Sequence, residues 1–127
     1  MKTYLVSFIS FILSSLTFQS CVQEIHKKTV TFRVAMNPAE NTGQIGLRGS
    51  FTSPPWEVTL PMIDEDMDGT YETTLSQKTA QNEIQFKFIQ NGQYELEGHD
   101  NRVIVFEYKP EDILYTAIFD DPDGEQR

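Results

Sequence analysis

The stretch Ile84-Gln85-Phe86-Lys87-Phe88-Ile89-Gln90-Asn91-Gly92-Gln93-Tyr94-Glu95-Leu96 decides the fold. Ile84, Phe86 and Phe88 alternate with Gln85 and Lys87, which is the period of a strand with one face buried. Asn91-Gly92 then supplies two residues that tolerate positive φ, as a tight hairpin turn requires, and residues 93–96 return as the partner strand. Lys87 lies opposite Phe86 and Phe88, so alternation turns it toward solvent.

The same period recurs on both sides. Val30, Phe32, Val34 and Met36 alternate with Thr31, Arg33 and Ala35, and the run stops at Asn37-Pro38. Residues 44–48 read as a short strand, residues 71–75 follow the turn signal Asp68-Gly69, and residues 102–108 and 113–119 flank Pro110. No stretch carries a helical stripe, and there is no internal repeat. About seven short strands at this spacing predict an all-β domain at residues 29–119, an immunoglobulin-like antiparallel β-sandwich. Residues 120–127 are polar, contain Pro122 and Gly124, and read as a tail that frays.

A chain of 127 residues holds one such domain and leaves no room for a second. Ten Lys and Arg against 19 Asp and Glu give a formal charge of -9. Nucleic acid and anionic membrane surfaces are therefore set aside as partners, since both require clustered positive charge. One Cys excludes a disulfide framework and a thiolate metal cluster, and two distant His supply a zinc site poorly. No cofactor is expected.

The lone Cys21 is informative through its position. Lys2 is followed by an uncharged run over residues 4–18, rich in Leu, Ile, Val and Phe, and then by Gln19-Ser20-Cys21. The run is shorter than the roughly 20 residues that span a bilayer core, and a basic residue precedes it, which marks an export signal. The segment resembles a bacterial, Bacteroidetes-like lipoprotein signal, in which the cysteine becomes the lipidated first residue. Phe18-Gln19-Ser20 departs from the usual small-residue triplet, and the other reading is an ordinary secretory signal cut near Ser20. In either case the protein leaves the cytoplasm. The resemblance implies a signal peptide at residues 1–20, lipidation at Cys21, a polar linker at residues 21–28 with His26 solvated, and residence in the cell envelope, periplasmic or on the outer-membrane surface. The membrane is then met through the lipid anchor only.

Five further segments carry a second resemblance. Gly46-Leu47-Arg48-Gly49-Ser50-Phe51, Trp56, Pro61-Met62 with the acidic run over residues 64–72, Gln85-Phe86-Lys87-Phe88, and Glu97-Gly98-His99-Asp100-Asn101-Arg102 together resemble the starch-binding family of carbohydrate-binding modules and its glycogen-binding relatives. The resemblance implies a β-sandwich that binds an α-glucan on a surface aromatic platform. It implies that Trp56, presented by Pro54-Pro55, stacks on a sugar ring, and that Lys87 and Asn101 donate to its hydroxyls. A sugar's C–H face suits an exposed indole, and its hydroxyls need polar groups at the rim. The second tryptophan of the family falls at Leu96. Tyr94, on the same strand face, replaces it only if the hairpin brings it near Trp56. The competing readings are that Trp56 plugs one end of the sandwich and that Asn101-Arg102 is simply a turn.

Asp64, Asp66 and Asp68 precede Gly69 at alternate positions, like the opening of a calcium loop. The pattern fails at its twelfth position, which is Leu75, and no flanking helices are expected. A solubilising hairpin turn accounts for the acids better, leaving the three as weak metal candidates. Catalysis finds no motif: Arg48-Gly49-Ser50-Phe51 does not complete a nucleophile elbow, and His99-Asp100, adjacent in a turn, cannot form a relay. Two readings of function follow. One is a non-catalytic glycan-binding envelope lipoprotein with polysaccharide or oligosaccharide and neighbouring envelope enzymes as partners. The other is a sandwich that has lost sugar binding and serves as an interaction or structural module.

Overall fold

The computed structural model describes residues 24–37 and 43–127. Cys21 and the export signal expected at residues 1–20 lie outside them. Nine strands are formed among the described residues: β1 (His26–Ala35), β2 (Ile45–Gly49), β3 (Leu60–Pro61), β4 (Thr70–Thr79), β5 (Glu83–Gln90), β6 (Gln93–Tyr94), β7 (Arg102–Val105), β8 (Glu111–Ile118) and β9 (Gly124–Gln126). They make two sheets. One has the order β4-β1-β8-β9; in the other, β3-β2-β5-β6 run in order and β7 also pairs with β5. The all-β sandwich expected from the alternation is the observed architecture.

The core lies between the sheets because each long strand buries every second side chain. Val30, Phe32 and Val34 of β1 face Ile84, Phe86 and Phe88 of β5, all at or near zero exposure. Phe86 is central, meeting Phe32 and Tyr115 edge-to-face at 5.0 Å, the arrangement that aromatic quadrupoles favour. Outward on the first sheet, Thr29 meets Ser76 and Thr31 meets Thr74 across the β1–β4 ladder, each pair 3.2 Å apart. Such cross-strand pairs suit a solvated face.

Four features differ from the sequence-based expectations. The sandwich is not wholly antiparallel, because β1 and β8 pair in parallel, with Lys28 opposite Glu111 and Ala35 opposite Ile118. Strands far apart in the chain can meet in either sense, and alternation is the same for both. Two short edge strands, β3 and β9, bring the number above seven. The tail does not fray: β9 pairs with β8, and Arg127 and Leu114 exchange backbone hydrogen bonds at 2.9 and 3.1 Å. Finally, β1 begins within the stretch read as linker. His26 packs edge-on against Tyr108 with ring centroids 4.7 Å apart rather than standing in water. Lys28 is only 2% exposed, and its ammonium donates to the carbonyls of Glu107 and Lys109 and to the Glu111 carboxylate. Three donors meet three acceptors, which is the condition for burying an ammonium.

Candidate functional site

The site is built on the outer face of β5 and the chain that follows it. Asn91 and Gly92 both adopt positive φ, 49° and 81°, and close a two-residue turn that sets Tyr94 opposite Ile89. The side chain of Asn91 accepts from the Gln44 amide at 2.9 Å, tying the turn to the start of β2. Ile89 shares the outer face with Tyr94 and is covered there, outside the core cluster, while Tyr94 is 42% exposed.

Trp56 arrives from the other side. Thr52 donates to the carbonyls of Gly49 and Pro54, and the Trp56 amide donates to the Gly49 carbonyl at 2.9 Å, so the loop folds back on the end of β2. Trp56 adopts a φ of 66°, a left-handed conformation unusual for a bulky residue. It is half-buried and stands outside the hydrophobic core cluster, so it does not plug the sandwich. Its ring centroid lies 6.3 Å from that of Tyr94. The condition under which Tyr94 can serve in place of a second tryptophan is therefore met. Arg48 of β2 backs this pair: its guanidinium lies over the Tyr94 ring at 5.8 Å and donates to the Thr59 hydroxyl at 2.7 Å.

Lys87 is half-buried on the outer face of β5, and its ammonium donates to the carbonyls of Leu96 and His99, each at 3.1 Å. Asn101 is exposed and its amide donates to the Gln85 side chain at 3.2 Å. Trp56, Lys87, Tyr94 and Asn101 line one open groove of about 810 Å3, with Gly92, Gln93, Glu95, Glu97 and Gly98 completing it. The arrangement joins an aromatic surface to a rim of amide, ammonium and carboxylate groups.

Leu96 does not reach this groove. It is 3% exposed and adopts a φ of 52°, which turns its side chain into the interior. Two neighbours of Leu96 were not legible as a unit. Glu95 and Arg102 form an ion pair with side chains 0% and 1% exposed, closed by two contacts of 2.6 and 2.9 Å. The Glu95 oxygens also accept from the Phe88 and Asp120 amides, both at 2.9 Å, so every lone-pair direction of this carboxylate is engaged. Arg48 and Glu97 were missed as well. Arg48 has a signal in its alternation with buried Leu47, while Glu97 has none.

The weak metal candidates sit elsewhere. Asp64, Asp66 and Asp68 bring carboxylate oxygens within 4.8 Å of one another, and Asp66 and Asp68 line a separate cavity of about 680 Å3 with Arg33 and Glu72. Asp64 accepts from the Asp68 and Gly69 amides at 3.2 and 2.8 Å, and Asp68 from the Thr70 amide at 2.8 Å. These bonds shape the turn into β4. Desolvation alone would raise the Asp64 carboxyl, but hydrogen bonds from the Gly69 amide, Asp66 and Asp68 carry it below its ordinary value. Asp66 is pushed up, chiefly by its hydrogen bond with the Asp68 side chain and then by desolvation.

No family model matches the chain, and no curated protein does. Among solved structures the chain is similar to the solution structure of CBM25-2 of the beta/alpha-amylase from Paenibacillus polymyxa, with a TM-score of 0.48 and 16% identity over 80% of this chain and 92% of that one. It is also similar to CBM25-1 of the same enzyme, with a TM-score of 0.42 and 15% identity over 71% of this chain and 81% of that one.

Proposed function

We propose that this chain is a non-catalytic glycan-binding domain of the cell envelope, anchored by lipid at Cys21, that takes an α-glucan chain in the groove of Trp56, Lys87, Tyr94 and Asn101. The observation that carries the reading is the meeting of Trp56 and Tyr94, from distant parts of the chain, beside polar groups in one open groove. A pyranose needs an apolar plane and a hydroxyl-matching rim, and the groove offers both. The acids at hand support binding without catalysis. Glycoside hydrolysis requires two carboxylates free to exchange protons or attack, whereas Glu95 is buried and fully hydrogen-bonded in its pair with Arg102.

The second reading, a module that has lost sugar binding, draws on the rim. Lys87 spends two of its three N–H groups on Leu96 and His99, and Asn101 spends one on Gln85. Titration calorimetry of the domain with a maltooligosaccharide, against a β-linked glucan as control, separates the two. One or two stacking contacts and a few rim hydrogen bonds predict a Kd of about 1 mM for the α-glucan. Trp56→Ala should abolish it while leaving the sandwich folded. Absence of heat with every glycan tested leaves the interaction module as the reading.

A further inference from the structure

We propose that Asp120 is a positioning residue for the groove, holding Lys87 in place through the backbone of Leu96. The inference rests on the groove being the glycan site, and its structural half can be tested without a glycan. The Leu96 amide donates to Asp120 Oδ1 at 2.7 Å. The carbonyl of the same residue accepts from Lys87 Nζ at 3.1 Å and from the His99 amide at 2.9 Å. Leu96 is thus gripped on both sides of its Cα, on one side by a carboxylate beyond the end of β8 and on the other by the lysine of the groove.

Two features make this grip consequential. Leu96 has a φ of 52°, a conformation that leucine does not keep without outside support. An ammonium has three N–H groups, and two of those on Lys87 are committed to Leu96 and His99, so the direction of the third is set by where that turn stands. If residues 96–99 relax, Lys87 loses its aim.

Asp120 is itself fixed. Its amide donates to Glu95 Oε2 at 2.9 Å, so Glu95 of the groove lining and the next residue, Leu96, bond it in opposite senses. Arg102, paired with Glu95, also donates to the carbonyls of Ile118, Asp121 and Asp123 at 3.1, 2.6 and 3.2 Å, which holds the turn carrying Asp120 against the wall. The segment that leads from β8 into β9 is therefore the buttress of the site.

Asp120→Gly tests this cleanly. Asp120 is exposed and sits at a φ of 63°, which glycine accepts, so the substitution removes the acceptor without adding backbone strain. Asp120→Asn keeps an oxygen acceptor and tolerates the same φ. Without glycan, Asp120→Gly should raise amide exchange at Leu96 and acetylation of Lys87, resolved by mass spectrometry, by about tenfold, and Asp120→Asn should reverse most of both. With a maltooligosaccharide, Asp120→Gly should weaken binding about fivefold. Lys87→Ala should then cost less in the Asp120→Gly background than in wild type, because the two act along one path. Circular dichroism verifies the fold, and if the glycine variant is unfolded at the assay temperature the comparison is made at a lower temperature at which it is folded. Unchanged Lys87 acetylation, or additive losses in the double variant, would overturn the proposal. If wild type binds no glycan, the reading of the groove falls, and the positioning claim is decided by Lys87 acetylation alone.

Discussion

Tyr94 stands edge-on to Trp56, with ring planes inclined at 62° and its hydroxyl 3.3 Å from the Trp56 carbonyl oxygen. The edge-to-face arrangement is electrostatically favourable, and the hydrogen bond ties the tyrosine to the backbone that presents the indole. The two rings come from a loop after β2 and from β6, so their relative position reports the correct assembly of the whole second sheet.

Leu96→Trp would add a second indole at the position the family resemblance points to, but the side chain there enters the interior. Overpacking a buried, left-handed position should cost about 1–3 kcal/mol and leave glycan affinity no tighter. Thermal melting beside calorimetry checks both halves. A tighter, equally stable variant would place residue 96 on the groove after all.

Arg102→Ala should destabilise the domain by about 3–5 kcal/mol, because it leaves Glu95 charged, buried and without its partner. Urea denaturation at neutral pH measures the loss. Arg102→Lys should recover part of it only, since an ammonium cannot reproduce the planar double contact with the carboxylate or reach all the carbonyls the guanidinium serves.

The Asp64, Asp66 and Asp68 turn should bind calcium too weakly to matter. Its oxygens already accept the amides that shape it, so the melting temperature should be the same in chelator and in millimolar calcium. The two perturbed acids should titrate apart. A carboxyl NMR titration is expected to find Asp64 below and Asp66 above the ordinary aspartate value. The signs oppose in stability. The Asp64 contribution is present above its unfolded value and fades as pH falls through the lowered one. The Asp66 contribution is complete below its unfolded value and fades as pH rises through the raised one.

Cys21→Ser should move the protein out of the membrane fraction, because a thioether-linked lipid requires the sulfur. Fractionation of cells carrying the wild-type and variant chains checks it. Wild type already found in the soluble exported fraction would remove the anchor.

The alternation of Ile84, Phe86 and Phe88 and the Asn91-Gly92 turn were legible because strand period and turn chemistry are local properties. They also gave the outward face of Lys87 and the hairpin that carries Tyr94. Glu95 was not legible as a buried residue. Its partner Arg102 lies on another strand, and a charged residue read locally belongs in water. The strand expected over residues 93–96 stops at Tyr94, and Leu96, at a φ of 52°, is buried. β9 escaped notice for a different reason. An exposed edge strand needs no apolar side chain, and Gly124-Glu125-Gln126 carries none.

The parallel pairing of β1 with β8 gives the domain a direction. Both strands start at the end where Lys28 meets Glu111 and finish where Ala35 meets Ile118, two residues short of Asp120 and the groove wall. A tether joined ahead of Glu24, as the proposed lipid anchor requires, would therefore pull on one end of the sandwich while the Leu96 turn lies toward the other, separated by the ten residues of β1. At about 3.3 Å per residue that is a standoff of about 33 Å. On the proposed lipid anchor, such a body would hold the Leu96 turn, and the end of the groove beside it, away from the lipid headgroups.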